Sequence, residues 1–148
     1  RESAGYRPGN QAVLADTPFG PLGLTVCYDI RFPALYQALA RAGARVLTVP
    51  AAFSPVTGTA HWVSLLRARA IETGCFVLAP AQAGLHPTSS GKQRRTYGHS
   101  MAISPWGEVL VEAGTDPGIH IFDMNAKSID EARSKVPSLA NARRFDGP

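Results

Sequence analysis

The chain has 148 residues, 45% of them hydrophobic and 18% charged, with 15 Lys and Arg against 11 Asp and Glu for a net charge of +4. That is the size of one domain, able to bury roughly 70% of the surface its unfolded form exposes, and no apolar run approaches the ~20 residues of a membrane span. The basic excess gathers in Lys92, Arg94 and Arg95 and in Arg143 and Arg144 without aromatic interleaving or a binding motif, so neither a membrane nor a nucleic acid is an expected partner.

The opening Arg1 to Asn10 is polar and rich in Gly and Pro, lacks an initiating Met, and reads as the interior of a longer protein. Ala12 to Ala15 is a short apolar strand. The turn Thr17 to Pro21 leads into Leu22 to Val26, a β-prone run expected to be a buried strand and to form a hairpin with the first. At Cys27-Tyr28-Asp29-Ile30-Arg31 the pattern breaks, and Asp29 and Arg31 are expected to pair across the break. Pro33 suits the first turn of a helix on which Leu35, Tyr36, Leu39 and Ala42 recur at helical spacing, with Gly43 as its stop. Arg45 to Pro50 is a β-branched run, completing a right-handed parallel crossover.

Ala51 to Gly58 reads as a loop punctuated by Ser54-Pro55 and Thr57-Gly58, and Ala60 to Thr73 as a helix ending at Gly74. On that helix Trp62, Leu65, Leu66, Arg69 and Ala70 share one face, while Arg69 and Glu72 are spaced to pair. Cys75 to Ala79 is another buried strand, and Gly84 to Gly98 a long polar loop. Ser100 to Ser104 and Glu108 to Glu112 form a hairpin through Pro105-Trp106-Gly107, with Ile119 to Asp123 a further strand. Ser128 caps a last helix with Glu131 completing a capping box, and Pro137 stops it; Ser138 to Pro148 has no clear period. The sum is an α/β fold with a sheet of mixed direction and helices on its faces.

Chemistry centres on Cys27, where a strand hands over to a helix. Open α/β sheets bind ligands beyond the carboxyl ends of their strands, where N–H groups at a helix start stabilise negative charge. A thiol there is a candidate nucleophile, with a small buried hydrophobe as the alternative. Cys27 and Cys75 are expected to stay reduced, as in a cytoplasmic protein. His61, His86, His99 and His120 are possible bases but none has a partner motif, so a histidine-assisted thiol hydrolase stays open. Phe53, Gln82 and His86 fall beyond strand ends on the side of Cys27 and are expected pocket residues. Lys92, Arg94 and Arg95 could draw a substrate carboxylate but read better as solvated loop charges. No metal spacing involves the cysteines, and neither a metal nor a cofactor is expected.

Gly23 to Pro33 closely resembles the nucleophile segment of the nitrilase, or carbon–nitrogen hydrolase, superfamily. Leu66 to Glu72 is similar to a motif-bearing helix of that family, and Tyr97-Gly98-His99-Ser100 with Pro105 to Glu108 to its closing strand pair. Within the family, Ala60-His61-Trp62 and Arg67 to Thr73 look most like the Nit-type amidases, a branch that includes deaminated-glutathione amidase and ω-amidase. The resemblance implies a four-layer αββα sandwich, with residues 1–148 as the C-terminal half of a single domain, and a Cys-Glu-Lys site. Cys27 is then the nucleophile, the backbone N–H of Tyr28 an oxyanion donor, and Glu2, 25 positions before Cys27, a second glutamate of the site. The family's base glutamate and lysine lie upstream of this region.

The resemblance thus implies an amidase acting on a small carboxylate-bearing amide through a Cys27 thioester. The 148 residues alone are expected to be inactive, and the whole enzyme a cytoplasmic homodimer or higher homo-oligomer. The alternative is a noncatalytic or truncated half-domain that assembles with another chain.

Overall fold

The computed structural model describes residues 4–87, 91 and 93–147. In chain order the strands and helices are β1 (Val13–Ala15), β2 (Leu22–Leu24), α1 (Pro33–Arg41), β3 (Val46–Thr48), α2 (Pro55–Thr73), β4 (Phe76–Ala79), β5 (Ala83–His86), β6 (Arg94–Tyr97), β7 (Met101–Ile103), β8 (Val109–Glu112), α3 (Lys127–Lys135) and α4 (Ser138–Asn141). β2, β3 and β4 pair in parallel, and β1 on one side and β7 with β8 on the other extend them antiparallel in the order β1-β2-β3-β4-β7-β8. The mixed α/β sheet, its first hairpin and its last are as the sequence implies.

Side-chain alternation divides the sheet's faces. Leu47, Val77 and Ile103 sit side by side in register and pack with Tyr36, Leu39, Trp62 and Leu66 of α1 and α2 into the main core. Gly23 continues that row because a Cβ there would meet a Leu47 methyl at 2.7 Å and Leu39 at 3.3 Å. The opposite row, Leu22, Val46 and Phe76, packs with Ile129 of α3. Helices therefore cover both faces, and the carboxyl ends of β2, β3 and β4 share one edge.

Several expectations change in detail. β2 is shorter than the predicted Leu22 to Val26 and is not buried throughout: Leu24 is 42% and Val26 59% exposed, because of the three residues on that face only Leu22 packs with the α3 cluster. Helix α2 starts at Pro55, five residues before the predicted Ala60. Ser54 is its N-cap, its side chain accepting from the Thr57 N–H, and Pro55 takes the first helical position, so the apparent loop punctuation is a helix start. Gly58 lies inside the helix because the Tyr97 ring rests on it; a Cβ would come within 2.3 Å of Tyr97 Cγ.

The predicted polar loop from Gly84 to Gly98 holds the antiparallel pair β5–β6, its ladder running from Ala83↔Tyr97 to His86↔Arg94. Ile119 to Asp123 forms no strand: Ile119 and Ile121 are 92% and 91% exposed, so the alternation has no ladder to join. Ser128 does not cap α3. Its hydroxyl donates to the Asn125 carbonyl, and the Asn125 side chain accepts from the Lys127 N–H. Ser138 starts the short α4 and donates to the Glu72 carbonyl, tying the tail to α2.

Candidate active site

Cys27 follows β2 at the carboxyl edge of the sheet. Its N–H donates to the Pro50 carbonyl beyond β3 at 2.9 Å, which extends the parallel ladder up to the thiol. The chain then turns through a 3-10 segment, Cys27–Arg31, that Cys27 enters at φ 46°, a left-handed conformation uncommon for a residue with a side chain. Asp29 shapes the turn: its carboxylate accepts from the Val26 N–H at 2.9 Å while its own N–H donates to the Val26 carbonyl at 3.0 Å.

The expected Asp29–Arg31 pair is absent. Arg31 instead lies over the Tyr28 and Phe53 rings, 5.4 Å from each centroid, with Nη1 3.3 Å from His61 Nδ1. Asp29 is engaged by the backbone, so the arginine takes the aromatic surface.

Cys27 is half-buried and lines a hollow of about 590 Å³ with Val26, Pro50, Ala51, Pro80, Gln82, Arg94 and Ser100 among the walls. The carboxyl ends of the three parallel strands supply most of this lining, where a parallel sheet presents a ligand site. Of the expected pocket residues, Gln82 lines the hollow. Phe53 is buried against Trp62, ring centroids 4.8 Å apart, and His86 bonds Thr96 Oγ1 at 2.6 Å across the β5–β6 pair. None of the four histidines lines it. His61 stands with Arg31, His99 Nδ1 is 3.0 Å from Glu112, and His120 belongs to a separate hollow. Among the described residues no carboxylate or lysine lines it either. Glu2 and Lys92 lie outside the described residues.

Among the described residues Arg94 is the cation that lines this mouth, and reading its stretch as a solvated loop misses it. Its Nη2 donates to the Ala52 carbonyl at 3.0 Å, which holds the guanidinium beside the strand ends. A signal was available: Ala83 to His86 and Arg94 to Tyr97 are two short runs around Gly91, the length of a hairpin. Arg95, one residue along, is exposed and stands opposite Leu85 in the ladder.

Among the described residues no group of three or more His, Cys, Asp or Glu is placed to hold a metal, and no helix is long and apolar enough to cross a membrane.

A family model described as carbon-nitrogen hydrolase matches residues 1–134. The chain belongs to the carbon–nitrogen hydrolase, or nitrilase, superfamily. It is 57% identical over 143 residues to the deaminated glutathione amidase of Yersinia enterocolitica, covering 97% of this chain and 49% of that protein. That likeness sets it in the Nit-type amidase branch of the superfamily. Among solved structures it is similar to Saccharomyces cerevisiae Nit3, of branch 10 of the nitrilase superfamily, at a TM-score of 0.87 and 36% identity, covering 97% of this chain and 51% of that one. It is also similar, at a TM-score of 0.77 and 29% identity over 96% of this chain and 49% of that one, to a mutant amidase from Nesterenkonia sp. AN1. In that amidase the acetamide moiety of fluoroacetamide is covalently added at the active site cysteine. The chain spans about half the length of these carbon–nitrogen hydrolase relatives.

Proposed function

We propose that the chain carries the nucleophile half of a thiol hydrolase that cleaves a small carboxylate-bearing amide to acid and ammonia. The observation that carries this reading is a half-buried cysteine, held at φ 46° beyond a parallel strand, opening on the same hollow as one arginine. The Cys27 thiolate attacks the amide carbon, and the carbonyl electrons move onto oxygen, next to the Tyr28 N–H at the start of the 3-10 segment, where the first N–H groups have no acceptor within the turn. Collapse of this intermediate breaks the C–N bond; the nitrogen takes a proton and leaves as ammonia. Water then adds to the thioester, releasing the acid and restoring the thiol.

Proton transfer needs a base, and the described walls of the hollow hold no carboxylate or histidine. We assign the base glutamate and the oxyanion lysine to a preceding part of the same domain, with Glu2 as a further site carboxylate. A second hollow of about 730 Å³, lined by Leu78, Ala102, Val111 and Phe122, fits the packing of such a part against the sheet. The same apolar surface favours the second reading, a half-domain that assembles with another chain. The reading also includes a cytoplasmic homo-oligomer, in keeping with two free thiols.

Arg94 supplies the carboxylate preference: a guanidinium anchored by one N–H keeps others for a bidentate partner. The test is ammonia release from ω-carboxylate amides and from neutral amides of equal length. The complete protein should turn over the acidic amides and the 148 residues alone should not. Arg94→Ala should raise KM for the acidic amide about tenfold and leave the neutral one unchanged, as expected for a lost charge-assisted contact of roughly 1.5 kcal/mol. Turnover by the 148 residues alone, or an equal KM change for both amides, contradicts the assignment.

A further inference from the structure

A buried polar chain that the proposed chemistry does not use grips the Cys27 elbow from both sides. Arg69 of α2 is 6% exposed; its Nε donates to the Ile30 carbonyl at 2.8 Å, and its Nη1 to Glu72 Oε1 at 3.0 Å. The guanidinium stands 5.4 Å from the centroid of the Tyr36 ring. Tyr36, fully buried, bonds Thr25 Oγ1 at 2.6 Å. Thr25 has one hydroxyl proton and directs it to the Thr48 carbonyl at 2.7 Å, so the Tyr36 hydroxyl is the donor in their contact.

The two anchored points bracket the thiol: Thr25 is two residues before Cys27 and Ile30 three after. A left-handed backbone is strained in a non-glycine residue and persists only where its surroundings over-determine it. Of the contacts around Cys27, those from Arg69 and Tyr36 come from buried side chains of the packed helices α2 and α1.

We propose that Arg69, oriented by Glu72, is a positioning residue for Cys27: with Tyr36 it clamps the strand-to-turn elbow in the conformation that presents the sulfur to the hollow. The proposal rests on Cys27 being the nucleophile. Arg69 touches neither the hollow nor the sulfur and acts through the Ile30 carbonyl and the Tyr36 ring. A lysine cannot replace it, since a single ammonium lacks the planar fork that serves the Glu72 carboxylate and the Ile30 carbonyl together.

Two readouts test this in Arg69→Lys and in the milder Glu72→Gln, which keeps the arginine. Amide hydrogen exchange should accelerate tenfold or more over residues 26–32 in Arg69→Lys, less in Glu72→Gln, with β3 and β4 unchanged. In amide turnover, kcat should fall about 10²-fold with KM held within threefold, the cost of a nucleophile displaced by about 1 Å. Unchanged exchange over 26–32 in both variants, uniform acceleration through α2 and β4 in both, or a loss confined to KM would overturn the clamp. If the parent protein turns over no amide, the function reading fails while the exchange result still decides the clamp.

Discussion

Cys27 and Cys75 stand at opposite ends of the parallel strands of one mixed sheet. Cys27 follows β2 at the carboxyl edge, and Cys75 precedes β4 at the amino edge. Cys27 takes a left-handed backbone conformation, is half-buried and opens on a hollow. Cys75 is fully buried; its thiol donates to the Ala44 carbonyl at 3.2 Å, and Arg133 Nη2 approaches the sulfur at 3.1 Å. Burial pushes the Cys75 thiol up, against the opposing pull of Thr73 and Arg133. The difference teaches that strand polarity, more than local composition, decides what a cysteine in such a sheet can do. At the amino edge the returning helices close over the sulfur, while at the carboxyl edge the strands end in loops that leave room for a ligand.

The sharpest way to break the comparison is to remove each sulfur in turn. Cys27→Ala should lower amide turnover by 10⁴-fold or more, the scale of losing a nucleophile. Cys75→Ala should leave kcat within about twofold and cost roughly 1–2 kcal/mol of stability, read by denaturant unfolding. Comparable activity losses in the two variants would erase the distinction.

A smaller effect is expected from uncovering the inert thiol. Arg133 donates from Nε to the Thr73 carbonyl at 3.1 Å and from Nη2 to the Ala44 carbonyl at 2.9 Å, sealing the amino edge. Arg133→Ala should destabilise the protein by about 2 kcal/mol, the scale of charged hydrogen bonds lost from a partly buried group. Labelling of Cys75 should rise with it and labelling of Cys27 should not.

The smallest expected effect concerns pH. Burial raises the Glu72 carboxyl above its ordinary value of 4.5 against the pull of Arg69, the charged group it faces. The folded state therefore holds that proton more tightly than the unfolded state, so its stabilising contribution is present at low pH and is lost as pH rises from 4.5 through the raised value. Melting temperatures of the parent and Glu72→Gln should accordingly converge, or cross in favour of the variant, between pH 4 and pH 7. A gap that widens in favour of the parent over that range would reverse the sign.

Much of the frame was legible because it depends on local signals. The apolar runs, the Gly43 and Gly74 stops and the Trp106-Gly107 turn each mark an element with little help from tertiary structure. The turn at Cys27 is legible for the same reason, since a strand that breaks at Cys-Tyr-Asp ahead of a helix-starting proline is a local pattern. What escaped depends on contacts between distant segments. The polar run that holds β6 looks like a loop until it is paired with β5. Ser54-Pro55 reads equally well as a turn or a helix start until Tyr97 is seen lying on Gly58. Asp29 and Arg31 look like partners because they are near in sequence, yet each finds a better one, the Val26 backbone and the Tyr28 and Phe53 rings. The alternation in Ile119 to Asp123 was a true strand-like pattern without a strand to pair with.

The two thiols must differ in access and in chemistry if one is a nucleophile and the other a packed core group. Iodoacetamide labelling of the native protein at pH 8, with peptide mapping over time, measures that difference at both sites in one sample. Cys27 should be modified at least about 10²-fold faster than Cys75, with Cys75 reacting only after unfolding, as exposed and buried thiols differ. Equal rates, or Cys75 modified first, would contradict it.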